Sequence, residues 1–75
     1  MRWILANPRG HVASAEIVEE DPLFGLGPSF FLSYRSTYGG RHGDTTRSFK
    51  SAKALFSRCV LKPKYPGKNI WQEKA

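Results

Sequence analysis

Cys59 is the only cysteine in a chain of 75 residues, so no intramolecular disulfide can hold the fold together. A domain of this size buries only roughly 60% of the surface that its unfolded chain exposes, and small domains often compensate with disulfides or a metal. The two histidines, His11 and His42, are too far apart to form the paired ligand set of a zinc site. We therefore expect no metal or cofactor, and a fold stabilised by its apolar core or by a partner.

Hydrophobic alternation predicts that most of the chain forms strands. Residues 2–6 and 12–20 are predicted strands joined by the turn Asn7-Pro8-Arg9-Gly10. Residues 29–38 alternate most clearly, and we expect one face of that strand to be buried. That face comprises Phe30, Leu32, Tyr34 and Tyr38. Gly39-Gly40 predicts a reversal, extended by residues 41–44 as a loop, before a fourth strand at residues 45–49.

One amphipathic helix follows these strands. Its apolar stripe at helical spacing comprises Ala52, Leu55, Phe56, Cys59 and Val60. Ser51 is the predicted N-cap, with Ser48 as the alternative, and Pro63 is expected to end the helix. We expect Phe56 and Cys59 to be buried against Leu32 and Ile17.

This order of elements predicts an α+β fold: a small antiparallel β-meander of three or four strands with one α-helix packed on one face. Residues 1–62 are expected to form a single compact domain. Residues 63–75 are expected to form a basic C-terminal tail, with a short last strand at Ile70 and Trp71 as the alternative.

The charge of the chain is strongly asymmetric. Twelve Lys and Arg residues against six Asp and Glu residues give a net charge of +6. Residues 1–34 carry two cations and four acids, whereas residues 35–75 carry ten cations and two acids. Such asymmetry suggests a polyanionic partner for the basic half. The alternative is a solvated surface that only keeps the protein soluble.

The cations of the basic half are interleaved with aromatic residues, a composition that suits nucleic acid because cations neutralise phosphates and aromatic rings stack on bases. The candidate binding residues for nucleic acid, or for an acidic surface on a host protein, are Arg35, Arg41, His42, Arg47, Lys50, Lys53, Lys64 and Lys68. Phe24 and Leu26 occupy a Pro- and Gly-rich loop and are candidate apolar contacts. Packing of that loop over the core is the alternative.

Signals for catalysis are weak throughout the sequence. His42 and Asp44 are close together but have no fixed nucleophile nearby, and no serine lies in a nucleophile-elbow pattern. The acidic run at residues 19–21 is more typical of a solvated strand end than of a cation site. We therefore expect no enzymatic activity and no small-molecule substrate. Met1–Ala6 is too short for a signal peptide, and no apolar run reaches membrane-spanning length, which favours a cytoplasmic protein.

The predicted order of antiparallel strands followed by one helix is similar to that of small DNA-binding domains at the N-termini of some phage and transposon integrases. In those domains the sheet enters the major groove and the helix supports it. The order also resembles compact phage-encoded inhibitors, including some anti-CRISPR proteins and inhibitors of host RNA polymerase. These resemblances imply a non-enzymatic nucleic-acid-binding protein of a phage or mobile element, or an inhibitor that binds a host nucleic-acid-processing enzyme. A ribosomal or ribonucleoprotein component is a third alternative.

Overall fold

A five-stranded antiparallel sheet with one helix on one face forms the fold. The computed structural model describes residues 1–20, 27–61 and 67–74. The strands are β1 (Arg2–Leu5), β2 (Val12–Glu20), β3 (Ser29–Ser36), β4 (Arg41–Thr46) and β5 (Trp71–Lys74). Their order across the sheet is β4-β3-β2-β1-β5, and every neighbouring pair is antiparallel. The predicted α+β fold is confirmed, and the chain after the helix adds the fifth strand.

An irregularity in β2 explains why its apolar residues do not alternate perfectly. The pairing of β2 with β3 shifts register between Val12 and Ser14. A bulge of this kind turns the following side chains to the other face of the strand. Val12 is therefore buried on the same side of the sheet as Ala15 and Ile17.

The hairpin between β3 and β4 is tighter than the sequence predicts. Ser36 N–H donates to the carbonyl of Gly40 (2.8 Å), and Gly39 N–H donates to the carbonyl of Ser36 (3.0 Å). Gly39 has a φ of 98°, a left-handed conformation that glycine adopts without strain. Residues 41–44 are therefore strand residues rather than the predicted loop. Tyr38, predicted to face the core, lies at the tip of this hairpin and is 89% exposed.

The helix begins as α1 (Phe49–Leu55) and continues without a break as a π-helical turn, Phe56–Leu61. Ser48, the alternative N-cap, is the observed one: its side chain accepts a hydrogen bond from Ser51 N–H at 3.0 Å. In the π-helical turn, hydrogen bonds join residue i to residue i+5, so the turn is wider than in an α-helix. Phe56 is consequently followed on the buried side by Val60 and Leu61.

The predicted burial of Cys59 is wrong, because the wide turn rotates this residue to the surface. The predicted burial of Phe56 is confirmed. Phe56, Ile17 and Leu32 are the largest fully buried side chains among the described residues. Trp71 of β5 closes one end of this core, with its ring edge-on to Phe56 at a centroid distance of 5.2 Å.

Aromatic side chains join the other end of the sheet to the start of the helix. The rings of Trp3 and Phe49 stack with their centroids 4.2 Å apart, and Trp3 also contacts Phe30 at 6.1 Å. Burying large aromatic surfaces in this way is an important source of stability in so small a domain. The helix therefore covers one face of the sheet, and no other described element packs on the opposite face. Within the described residues, no helix has the length and apolar character needed to cross a membrane.

Candidate functional site

Alternation along the strands divides the polar side chains between the two faces of the sheet. Ile17 of β2, Leu32 of β3 and their alternating neighbours face the helix. The intervening residues of β1 to β4 form the uncovered surface, here called the open face. Its residues include Ile4, Ser14, Glu16, Phe31, Ser33, Arg35, Arg41 and Gly43.

Two arginines stand directly opposite each other on the open face. Arg35 of β3 pairs with Arg41 of β4, the last pair before the hairpin, and both side chains are exposed. Cβ atoms of such a pair are about 4.5–5.5 Å apart, and like charges at this separation destabilise a sheet. The ion pairs of the described residues join the Met1 amino group to Glu19 and Arg2 to Glu16, so neither includes these arginines. A site that places two cations together in this way is suited to an anion.

The arginines border a hollow in the open face with a volume of about 610 Å³. They share it with Glu16, Phe31, Ser33 and Gly43. Ser33 and Gly43 are directly paired across β3 and β4 and form part of the floor of the hollow. Glu16 pairs with Ser33 on the other side and holds Arg2 at 3.8 Å. The hollow therefore has a cationic end at the hairpin and a carboxylate further along β2.

Phe31 forms the wall of the hollow opposite the arginines. Its ring lies against Gly43: a Cβ atom at position 43 would stand 2.5 Å from Phe31 Cζ, closer than any real contact. The backbone of Phe31 pairs with Thr45, yet its ring reaches Gly43, two residues closer to the hairpin. The side chain therefore leans along the sheet toward the two arginines. The glycine thus makes room for an aromatic ring that is only half-buried.

Other predicted binding residues lie away from the arginine pair. His42 also borders the hollow, but its ring lies on the helix side of β4, where it stacks on Tyr34 with a centroid distance of 5.0 Å. Arg47 follows the end of β4. The six residues of β4 place Arg41 and Arg47 at opposite ends of a strand roughly 20 Å long, so these two predicted binding residues are far apart. Asp44 faces the other side of β4 and is therefore not an ion-pair partner of Arg41.

Lysines gather on the opposite side of the molecule. Lys50, Lys53 and Lys68 line a smaller depression of about 350 Å³ between the helix and the chain that leads into β5. Lys53 Nζ lies 4.7 Å from the centre of the Phe49 ring, so this cation already has a partner.

Lys64 and the apolar candidates Phe24 and Leu26 lie outside the described residues, as does Pro63. The structure therefore separates the predicted site residues into an arginine pair and a lysine group on different faces.

Sequence reasoning missed Phe31, Ser33 and Gly43 as site residues. The available signal was the alternation of β3, which places Phe31, Ser33 and Arg35 on the face opposite Phe30, Leu32 and Tyr34. The register that sets Gly43 beside Phe31 depends on β4, where a loop was predicted. Within residues 1–20, 27–61 and 67–74, no three His, Cys, Asp or Glu side chains form a group that would hold a metal ion.

Comparison with known proteins adds no relative. No protein-family model matches the chain, and neither a curated protein nor a solved structure matches it. The resemblance to integrase DNA-binding domains and phage inhibitors therefore remains one of strand and helix order.

Proposed function

We propose that this protein is a non-enzymatic nucleic-acid-binding protein whose contact surface is the open face of the sheet. The observation that supports the proposal best is the directly opposed pair Arg35 and Arg41, which has no carboxylate partner among the described residues. Phosphate oxygens between the two guanidinium groups would offset the electrostatic repulsion between these arginines. Arg also binds phosphate with paired, parallel hydrogen bonds.

The surroundings of the pair favour an extended polyanion over a single small anion. Both arginines are exposed at the rim of a wide hollow, whereas a site for one small ion would enclose it. The chain also carries a net charge of +6, which attracts a polyanion from a distance and speeds its association. Hydroxyl groups of Ser14 and Ser33 on the same face are further donors to phosphate or sugar oxygens.

Salt-titrated binding to labelled DNA duplex, single-stranded DNA and RNA tests the proposal. We expect binding at low salt that weakens linearly in a plot of log affinity against log salt concentration, because bound cations displace counterions from the phosphates. The Arg35→Ala, Arg41→Ala double variant is expected to bind more weakly and with a shallower slope. Absence of binding to all three probes at low salt would refute the proposal.

The sequence also suggested an inhibitor that binds an acidic surface of a host nucleic-acid-processing enzyme. Its apolar anchor was assigned to Phe24 and Leu26, which lie outside the described residues. A pull-down from cell extract with and without nuclease treatment separates the two functions. Loss of the captured material after nuclease supports nucleic-acid binding, whereas a protein retained after nuclease contradicts it.

A further inference from the structure

We infer that the open face selects single-stranded nucleic acid, with one unpaired base stacked on Phe31 and the neighbouring phosphates held by Arg35 and Arg41. This inference rests on the proposed function and specifies its substrate class. Three observations support it: the partial exposure of Phe31 outside the aromatic core, the glycine beside its ring, and the position of both relative to the arginines.

Phe31 is set apart from the other aromatic side chains of the fold. Among the described residues, Trp3, Phe30, Phe49, Phe56 and Trp71 pack ring against ring on the helix side, and Tyr34 stacks on His42. Phe31 and Tyr38 are the described aromatic residues without such a contact. Tyr38 projects from the hairpin tip, whereas Phe31 lies over a strand with part of its ring uncovered. Its position leaves ring surface available to a ligand.

Gly43 permits the position of the Phe31 ring. Any larger residue at 43 would bring its Cβ within 2.5 Å of Cζ and push the ring off the strand. A partly uncovered ring whose tip lies over a glycine is a platform on which a planar base can stack. Such stacking accepts every base, because each base has a π face.

The distance between the platform and the arginines suits a nucleotide chain. Phe31 and Arg35 are four residues apart on β3, which separates their Cα atoms by about 13 Å, and the ring leans toward the arginines. Phosphates at the arginine end and a base at Phe31 therefore belong to one short stretch of chain. Glu16 pairs with Ser33 and so lies between Phe31 and the arginines. Its carboxylate repels phosphate and can accept a hydrogen bond from the amino group of a base.

A base inside a duplex is stacked on both faces and cannot lie on Phe31. The Phe31 ring therefore favours single-stranded over double-stranded nucleic acid. RNA and DNA share the stacking chemistry, and only the 2′-hydroxyl distinguishes them. The probes are therefore a mixed-sequence DNA strand, an RNA strand of the same sequence, the DNA annealed to its complement, and a DNA strand with abasic sugars throughout. The abasic strand keeps the phosphates but offers no ring to stack.

The wild-type protein is expected to bind the DNA or RNA strand more tightly than the duplex or the abasic strand. Phe31→Leu keeps an apolar side chain but removes the ring, and should weaken single-strand binding about 5- to 150-fold while leaving duplex and abasic binding unchanged. Phe31→Tyr keeps the ring and should retain affinity. Circular dichroism and thermal unfolding verify that each variant folds. Comparing the affinities for the DNA strand and the RNA strand of the same sequence shows whether the protein prefers deoxyribose or ribose.

Equal affinity of the wild-type protein for the base-bearing and abasic strands would overturn the inference, and that comparison requires no variant. Unchanged single-strand binding by folded Phe31→Leu would also overturn it. In both cases binding to phosphates persists and the proposed function stands. Failure of every probe at low salt refutes the proposed function itself, so the two failures are distinguishable.

Discussion

The side chain of Asn7 holds the backbone of Ile70, sixty-three positions further along the chain. Asn7 Oδ1 accepts a hydrogen bond from Ile70 N–H at 2.9 Å, and Asn7 Nδ2 donates to the Lys68 carbonyl at 2.9 Å. Ala6 N–H adds a backbone bond to the Ile70 carbonyl at 2.7 Å. The turn between β1 and β2 thus aligns the chain that enters β5, and the amide of Asn7 acts as an extra rung of the sheet.

Replacing Asn7 with Ala should loosen β5 before it affects the rest of the fold. Loss of the two side-chain hydrogen bonds is expected to lower the free energy of unfolding by about 1–3 kcal/mol. Asn7→Asp, which keeps the acceptor for Ile70 but loses the donor to Lys68, should be intermediate at neutral pH. Hydrogen exchange checks the location: the amide of Ile70 should lose protection in Asn7→Ala. Unchanged protection there would show that the side chain does not secure β5.

The two faces of the π-helical turn should respond very differently to substitution. Phe56→Ala is expected to cost about 3–5 kcal/mol, because a fully buried aromatic ring leaves a cavity in a small core. Cys59→Ala is the matched control and should change stability by less than about 0.5 kcal/mol, since Cys59 is exposed. Urea denaturation measures both. The Cys59 thiol of the folded protein should also react readily with a thiol reagent, and resistance to it would place this residue in the core.

The arginine pair should matter for binding and not for folding. Removing one of two opposed like charges is expected to leave the free energy of unfolding unchanged or to raise it slightly. Arg35→Ala and Arg41→Ala should each weaken nucleic-acid binding and reduce the salt-dependence slope by about 1. Arg47→Ala, at the far end of β4, is the matched control with the same charge change. An equal effect of all three substitutions would indicate general charge attraction and no defined contact at the pair.

Gly43 and Phe31 should be energetically coupled. Without the ring, Gly43→Ala should stabilise the strand by about 0.5–1 kcal/mol, because alanine loses less backbone entropy on folding than glycine. With the ring present, the new Cβ must displace Cζ, and that gain should be lost or reversed. A double-mutant cycle with Phe31→Leu, followed by thermal unfolding, measures the coupling, expected at about 0.5–1.5 kcal/mol. Additive effects would mean that the ring does not lie over Gly43.

Sequence patterns predicted the elements whose own residues carry a strong preference. Alternation in β3 and the apolar stripe through Phe56 were sufficient to place a sheet and a helix against each other. β4 was not found in full because its residues, RHGDTT, include Gly and Asp, which are depleted in strands. It becomes a strand because a tight turn aligns it with β3. Cys59 was predicted to be buried because α-helical spacing was assumed for the whole apolar stripe. The local sequence has no recognisable signal for the π-helical turn that follows Leu55.

The candidate site was predictable only in part for the same reason. Arg35 and Arg41 were identified by their charge and by the aromatic residues interleaved with the cations of this half of the chain. Their direct opposition depends on the register of β3 and β4, which the hairpin fixes. Phe31 and Gly43 contribute to the site through their contact with each other. Neither a phenylalanine nor a glycine alone predicts such a site from sequence.

The strand order β4-β3-β2-β1-β5 has a consequence for the way the molecule is made. β1 leaves the ribosome before β5, yet one of its edges is completed by β5. Until residues 71–74 emerge, the nascent sheet ends in the open backbone of β1, with Trp3 and Leu5 lacking their neighbours Glu73 and Trp71. An uncovered edge of this kind can pair with another chain. Pairing with β5 therefore covers the edge of β1 only after residues 71–74 have been synthesised, and until then that edge is open to aggregation.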